Sequence, residues 1–525
     1  MSPNKKFIFL VKQPPVPKAP GNWTNYRISA QTEATFTRNT NNSGLFAHGG
    51  YFSEDVVALR TLNTDSSSNY SEFSIYERSG DTWSNTYAIT GSDVTTTAGN
   101  GVWFIGDADY TGNDFASYKM RLDGSTTYDE ANKTLYVLAS TASTTDLNHY
   151  VNSSTNREFQ PFISLFKTTK TGGTWSALQE VGVLASASTN VYPDQHYQRR
   201  RTIHYMTNDG TIASRGMPSR GSNETGDHST AKIHFTNPSN LVAPADTVPY
   251  GNFDPSGENK EIRYWSSLFG VNHNSTKVFA GGRLDYTGRT GEIPAPQNYN
   301  WAVQIIGSGS ANGWEIEGTI TASAGQSSST ALHVNDGCFH FNDTYAVFGI
   351  PRAGFRSDIA PYSTQTIKQT GGIFVYKKTG DTWADHDLVF TMKAEDALVT
   401  ASFQRMPLDA FTRKIHFGHT VKINEDNDIM VTAPSFYNQD TVVSTGQSLA
   451  VGCTFFLTAS GTDTWGLHMH HTGAVHVGTE ATPESPAFRA QYLGNKRAIL
   501  MTPDGDHTNG KYNTGFALFK DTSEE

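Results

Sequence analysis

Three clusters in this chain combine residue types and spacings that bear on chemistry. The first is Asp107-Ala-Asp109-Tyr-Thr111-Gly112-Asn-Asp114. Oxygen donors at alternate positions, with glycine at the sixth, are features of a calcium loop: a hard cation takes oxygen ligands, and the chain must bend sharply around it. The bidentate glutamate that would close such a loop is missing. The competing reading, a polar connection between strands, is the expected one. The cofactor expectation is therefore none, with Ca2+ at Asp107, Asp109, Thr111 and Asp114 as the alternative. Asp504-Gly-Asp506-His-Thr508-Asn-Gly510 is a thinner version of the same pattern. The third cluster is His468, His470, His471 and His476, just after Trp465. On a strand His468 and His470 share a face and His471 takes the other. Two imidazoles on one face suit zinc or copper, but solvated histidines on an outermost strand are the expected reading. No nucleophile elbow, phosphate loop or zinc signature stands anywhere in the chain, and the expectation is that it is not an enzyme. Paired carboxylates for glycoside hydrolysis depend on a separation that a sequence does not carry.

Whatever these residues do, short strands must position them. The chain has 525 residues, more than one hydrophobic core usually holds, so it is several domains or one domain built by repetition. Only 17% of residues are charged while 12% are aromatic and 47 are glycine, a profile of many strands joined by tight turns. The net charge of −10 argues against nucleic acid, which needs a basic face; Arg199, Arg200 and Arg201 are the one basic run and read as solvated arginines. No apolar run is long enough to cross a membrane as a helix. Phe7-Ile-Phe-Leu-Val11 is too short for a signal-peptide core, so neither a signal peptide nor membrane insertion is expected. Cys338 and Cys453 fall in strands of different repeats and read as small buried thiols.

The repeat is a strand, a tight turn, then a strand opening with Trp. It reads Phe73-Ser-Ile-Tyr-Glu-Arg-Ser-Gly-Asp-Thr-Trp83, and returns at Ile163–Trp175, Val303–Trp314, Ile373–Trp383 and Thr454–Trp465. A second hairpin precedes each copy, and its second strand is short and apolar: Val56-Val-Ala-Leu, Leu135-Tyr-Val-Leu-Ala, Tyr345-Ala-Val-Phe-Gly-Ile-Pro351, Ile429-Met-Val-Thr-Ala-Pro434. Such runs suit strands packed on both faces. Seven units of four antiparallel strands make a closed β-propeller. The last unit is one strand short at the C-terminus, and Asn22-Trp23-Thr-Asn-Tyr-Arg-Ile-Ser29 matches the outer strand that begins near Trp83. Pairing the two ends closes the ring and removes an open sheet edge. The expected organisation is an arm over 1–20 and a propeller over 21–525, with blades near 43–93, 103–187, 195–250, 260–325, 330–392, 413–475 and 486–525 plus 21–30. Trp23, Trp83, Trp175, Trp314, Trp383 and Trp465 mark six outer strands as packing residues between blades. The third blade has no such Trp, and Leu241-Val-Ala stands in for it.

These units resemble FG-GAP repeats, the blades of integrin-type propellers. The nearest copy is Phe417-Gly418-His-Thr-Val-Lys-Ile-Asn-Glu-Asp-Asn-Asp-Ile-Met-Val-Thr-Ala-Pro434. Its turn, Asn424 to Asp428, lacks the glycine of the family's calcium loop, so calcium is not carried over. The Gly-x-Thr-Trp turns are similar to the Asp-box of sialidases, but Arg78 and Lys378 stand where the box needs Asp. In composition, rich in Ser, Thr, Asn and Gly and poor in Lys, the chain resembles tail, neck and fibre proteins of tailed bacteriophages. That resemblance implies a non-enzymatic virion protein partnered with other virion proteins and with copies of itself. A carbohydrate-binding propeller is the alternative, with a host-surface glycan as ligand, and a glycoside hydrolase is third. Pro14, Pro15, Pro17 and Pro20 impose an extended path on the segment before the propeller. Phe7, Phe9 and Val11 then form a β-type arm suited to adding to a neighbour's sheet.

Overall fold

The computed structural model describes residues 23–25, 44–63, 72–96, 99–100, 102–103, 126–141, 162–183, 204–216, 232–241, 246–249, 260–271, 277–286, 300–309, 313–323, 338–351, 355–356, 366–367, 371–394, 417–433, 437–442, 448–450, 453–472, 489–506 and 511–521. They form a seven-bladed propeller of antiparallel four-stranded sheets.

From the axis outward, blade 1 is Gly44–Phe52, Val56–Asn63, Glu72–Ser79 and Thr82–Thr90. Blade 2 has Thr126–Asp129 innermost, then Thr134–Thr141 and Phe162–Thr171, with an outer edge split into Thr174–Trp175 and Gln179–Val183. Blade 3 is His204–Met206, Ile212–Gly216, Lys232–Thr236 and Asp246–Pro249; blade 4 is Lys260–Val271, Lys277–Tyr286, Asn300–Gly309 and Gly313–Ser323. Blade 5 is Phe339–Phe341, Tyr345–Ile350, Gly372–Lys378 and His386–Lys393; blade 6 is Val421–Ile423, Ile429–Ala433, Cys453–Gly461 and Thr464–Thr472. Blade 7 joins Arg489–Leu493, Arg497–Asp506 and Lys511–Asp521 to Trp23–Asn25 from the other end of the chain. The closing register is Trp23 opposite Asp521, Thr24 opposite Lys520 and Asn25 opposite Phe519, the pairing expected from the sequence.

Blades hold one another through the alternate faces of their apolar second and third strands. Phe279 and Val303 of blade 4 share a cluster with Phe339, Phe348 and Trp383 of blade 5. Tyr345, Val347 and Val375 of blade 5 share one with Val421, Val431 and Trp465 of blade 6. Met430 and Phe456 then meet Tyr492 and Phe519 of blade 7.

Three details differ from expectation. The outer strand of blade 3 is Asp246–Pro249; Leu241 is buried ahead of it and is not the strand. Trp383 is fully buried in the turn before His386–Lys393, not on that strand. Cys338 is buried just ahead of the innermost strand of blade 5, with its Sγ 3.2 Å from the His419 carbonyl, while Cys453 does open a strand.

Five outer strands share a feature that no composition announced. Thr86, Val181, Glu317, Val389 and His468 are each the extra residue of a one-residue bulge at the same level of the ladder. The bulge at His468 breaks the strict alternation on which the pairing of His468 with His470 rested. Among the described residues no group of three or more His, Cys, Asp or Glu is placed to hold a metal ion, and no helix is long and apolar enough to cross a membrane.

Candidate functional site

Strands that alternate in direction put the first and third connections of every blade on one face of the ring and the second and fourth on the other. The two faces differ sharply. On the first, inner hairpins close in short turns such as 53–55, 342–344 and 494–496, and outer hairpins in turns such as 80–81 and 462–463. On the second, connections run long: 91–125, 142–161, 184–203, 351–371, 394–420 and 434–452.

The short-turn face is stitched shut. Asn342 Nδ2 donates to the Asn424 carbonyl at 2.7 Å, and Asn424 Nδ2 to the Asn495 carbonyl at 3.0 Å. Arg497 then reaches from blade 7 to blade 1, donating to Glu54 Oε1 at 3.3 Å and Asp81 Oδ1 at 3.0 Å. Hydrogen-bonding to Arg497 lowers the Asp81 carboxyl below its ordinary value, against a smaller opposing effect of burial. From blade 5 round to blade 1, polar groups at or beside the inner turns thus bond the next blade.

The channel wall above these turns is where the ring departs from its own repeat. Every innermost strand ends, next to the short-turn face, in three to five regularly paired residues: Gly50–Phe52, Thr126–Asp129, His204–Met206, Leu268–Val271, Phe339–Phe341, Val421–Ile423 and Arg489–Leu493. In blades 1, 2 and 4 the strand continues beyond that segment through residues outside the regular ladder, more of them than the second strand sets opposite. In blade 1 they are Ala47, His48 and Gly49, between the pairs Phe46–Thr61 and Gly50–Leu59. In blade 4 they are Tyr264, Trp265, Ser266 and Ser267, between Arg263–Arg283 and Leu268–Gly281. In blade 2 they are residues 104–125, because Trp103 pairs with Ser140 and Thr126 with Val137 of the same second strand.

The calcium-loop candidates Asp107, Asp109, Thr111 and Asp114 belong to this insertion. They lie outside the described residues, in the sequence between Val102–Trp103 and Thr126–Asp129, both of which pair with Thr134–Thr141. Asp504 and Asp506 are strand residues, opposite Asn513 and Lys511, and not a loop. Phe7, Phe9, Val11 and His476 lie outside the described residues.

Beneath the bulges sit Tyr51 and Tyr128, edge to face at 5.8 Å between ring centres, with Trp175 6.0 Å beyond Tyr128. Burial is the main cause that pushes both tyrosines up to about 12. Their hydroxyls stay protonated at neutral pH and act as hydrogen-bonding groups, not bases. Elsewhere, His340 is buried and its Nδ1 accepts from the Ile423 backbone N–H at 3.3 Å.

The marked tryptophans are in the walls. Trp83, Trp175, Trp383 and Trp465 are buried; Trp465 meets Tyr345 of blade 5 edge-on at 5.1 Å and donates Nε1 to the Asn427 carbonyl at 2.7 Å. Trp314 is half-buried and lies parallel on Phe235 of blade 3 at 4.1 Å. Trp23 takes its place on the closing strand.

Sequence reasoning missed the channel bulges. The available signal was glycine inside strand-like runs, Gly49-Gly50 and Gly281-Gly282. A β-carbon at Gly50 would meet the Ala58 carbonyl, and one at Gly281 the Ala302 carbonyl.

No protein-family model matches the chain, and no curated protein matches it. The resemblance to FG-GAP repeats is therefore one of pattern, without a shown family. Solved structures similar to it include the polysaccharide lyase Uly1, with 9% identity and a TM-score of 0.42, covering 96% of this chain and 97% of that one. An alpha-L-arabinanase from Penicillium chrysogenum is similar at 10% identity and a TM-score of 0.31, over 76% and 94%. Zg3597, a family 117 glycoside hydrolase from Zobellia galactanivorans, is similar at 8% and 0.27, over 69% and 90%. TolB from Acinetobacter baumannii is matched over 56% of its own length, at 10% identity and a TM-score of 0.26. These are likenesses of fold. They overturn one expectation, that a chain without a catalytic signature is not an enzyme. Chains of similar course include a lyase and glycoside hydrolases, so that exclusion is withdrawn.

Proposed function

We propose that the protein is a carbohydrate-recognising propeller of a virus particle, of the tailed-bacteriophage kind, with its ligand held at the channel mouth on the long-connection face. The observation that carries this reading is the recurrence of inner-strand departures in three blades, each just beyond the regularly paired segment and toward the long-connection face. His48 falls in the first of these departures, Tyr264 and Trp265 in that of blade 4, and the sequence between Trp103 and Thr126 supplies Asp and Tyr. Bulges recur where a strand must re-aim residues toward a ligand. Aromatic rings stack on sugar faces, while imidazole and carboxylate groups take sugar hydroxyls. The assignment to a particle rests on the low-charge, Ser/Thr/Asn/Gly-rich composition.

Two experiments test it. The propeller on a glycan array should retain a defined glycan class, and Trp265→Ala should abolish retention without changing the circular dichroism. No retention by the parent chain at millimolar sugar sinks the ligand assignment. Reducing ends released in the same incubation report turnover. Mass spectrometry of purified particles should find the chain, and its absence sinks the virion assignment.

A further inference from the structure

Among the described residues two large hydrophobic side chains are exposed, Ile316 at 38% and Leu388 at 52%. They occupy equivalent places on adjacent blades. Ile316 pairs with Ile306 and Leu388 with Tyr376, each immediately before the bulge residue of its outer strand. Blades 1 and 2 put Asn85 and Glu180 at that place. Both aliphatic residues also have acidic neighbours along the chain, although Lys377 stands opposite Asp387. Glu315 is exposed beside Ile316, and Asp381, Asp385 and Asp387 are exposed around Leu388; none of the four forms an ion pair among the described residues. No other described outer strand combines an exposed aliphatic residue with free carboxylates. The chain carries one segment of the opposite character, Lys5-Lys6-Phe7-Ile-Phe-Leu-Val11-Lys12, an apolar run with lysines at both ends.

We propose that Lys5–Lys12 of one copy docks across the rim of blades 4 and 5 of a second copy, with its apolar residues on Ile316 and Leu388 and its lysines against Glu315, Asp381, Asp385 and Asp387. This is independent of what the channel mouth binds. Length fits the rim. Sheets spaced about 10 Å, with strands about 4.8 Å apart, put neighbouring outer strands of a seven-bladed ring roughly 16 Å apart, and Phe7 to Val11 extended spans about 14 Å. The tether can reach a second copy. Residues 12–22 hold Pro14, Pro15, Pro17 and Pro20. At about 3.1 Å per residue a segment of that length, if extended, would span roughly 34 Å.

The test uses the full chain. Sedimentation should show association that Ile316→Asp with Leu388→Asp weakens on the order of a hundredfold. Because both positions are exposed, the denaturation midpoint should hardly move. Reversing Lys5, Lys6 and Lys12 to Glu should weaken association likewise, and Asp385→Lys with Asp387→Lys should restore part of it. With Phe9→Cys on one tagged copy and Leu388→Cys on another, a disulfide should link the two tags. A full-length chain that stays monomeric at about 0.1 mM overturns the proposal. So does association indifferent to Ile316→Asp with Leu388→Asp, or a cross-link confined to single chains.

Discussion

Replacing Arg497 with methionine removes the guanidinium that ties blade 7 to blade 1 while keeping most of the apolar stem in place. Arg497 is only 8% exposed, and it donates to Asp81 at 3.0 Å and to Glu54 at 3.3 Å. A hydrogen bond to a charged group contributes about 1.5–3 kcal/mol when both partners are shielded. Here the acceptor side chains are 56% and 48% exposed, so solvent screening brings each contact down to about 0.5–1 kcal/mol. Lys520 stays 3.6 Å from Asp81 and Arg78 stays 3.5 Å from Glu54, so neither carboxylate is stranded. The expected loss is therefore about 1–2 kcal/mol, with the stem's packing preserved. Urea unfolding at low salt should show it as a lower midpoint with an unchanged slope. At about 1 M salt, where screening acts within roughly 3 Å, the difference should fall by about half. A double-mutant cycle with Asp81→Asn should return a coupling of about 0.5–1 kcal/mol. If Arg497→Met unfolds within about 0.3 kcal/mol of the parent at low salt, or loses the same amount at both salts, the seam is not held electrostatically and the reasoning fails.

Acid should act on the same seam: Asp81 is lowered in the folded chain, so its contribution is present above the ordinary value of 3.8 and lost as pH falls through the depressed one. Both Asp81→Asn and Arg497→Met should flatten the loss of stability below about pH 4 relative to the parent, measured by urea midpoints across pH. Trp383→Ala should cost about 3–5 kcal/mol, because the side chain is fully buried against Phe341, while Trp314→Ala, half-buried on Phe235, should cost about 1–2. Equal costs by denaturant titration would refute that difference in burial. Gly318→Ala should cost about 1–3 kcal/mol, since its β-carbon would meet the Trp383 carbonyl and the Ala384 backbone nitrogen of the next blade. Gly466→Ala is the control: nothing lies within 4 Å of its β-carbon, so its thermal midpoint should hold or rise slightly.

What the sequence disclosed and what it hid follow from the length of each signal. The second and third strands of each blade bury four to eight residues on two faces, so Val56–Asn63, Tyr345–Ile350 and Ile429–Ala433 stand out as apolar runs, and the Gly-Asp-Thr-Trp turns fix where the next strand starts. Closure was legible because Trp23 repeats the outer strand at Trp83 and the last blade lacked one. The candidate site was not. Its common inner segments are as short as Phe339–Phe341, too short to show a period of two. A bulge adds a residue without changing composition, so Ala47–Gly49 and Tyr264–Ser267 read as more strand. Blade 3 misled for a related reason: no Trp opens Asp246–Pro249, and the buried Leu241 ahead of it gave the stronger apolar signal.

The asymmetry between the two faces has an energetic basis that bears on where recognition can reside. Closing a longer connection between ends already held in a ladder costs only about 0.6 kcal/mol for each doubling of its length. Insertions are therefore nearly free wherever a turn does no other work. On the short-turn face the inner turns of blades 5, 6, 7 and 1 do: Asn342, Asn424, Asn495 and Glu54 bond the neighbouring blade, so an insertion there would break a contact between blades. On the opposite face a break beside an innermost strand is tolerated, since Trp103 and Thr126 still pair with the same second strand on either side of residues 104–125. The ring can vary its long-connection face without loosening its closure, and the channel mouth is where that freedom reaches the axis.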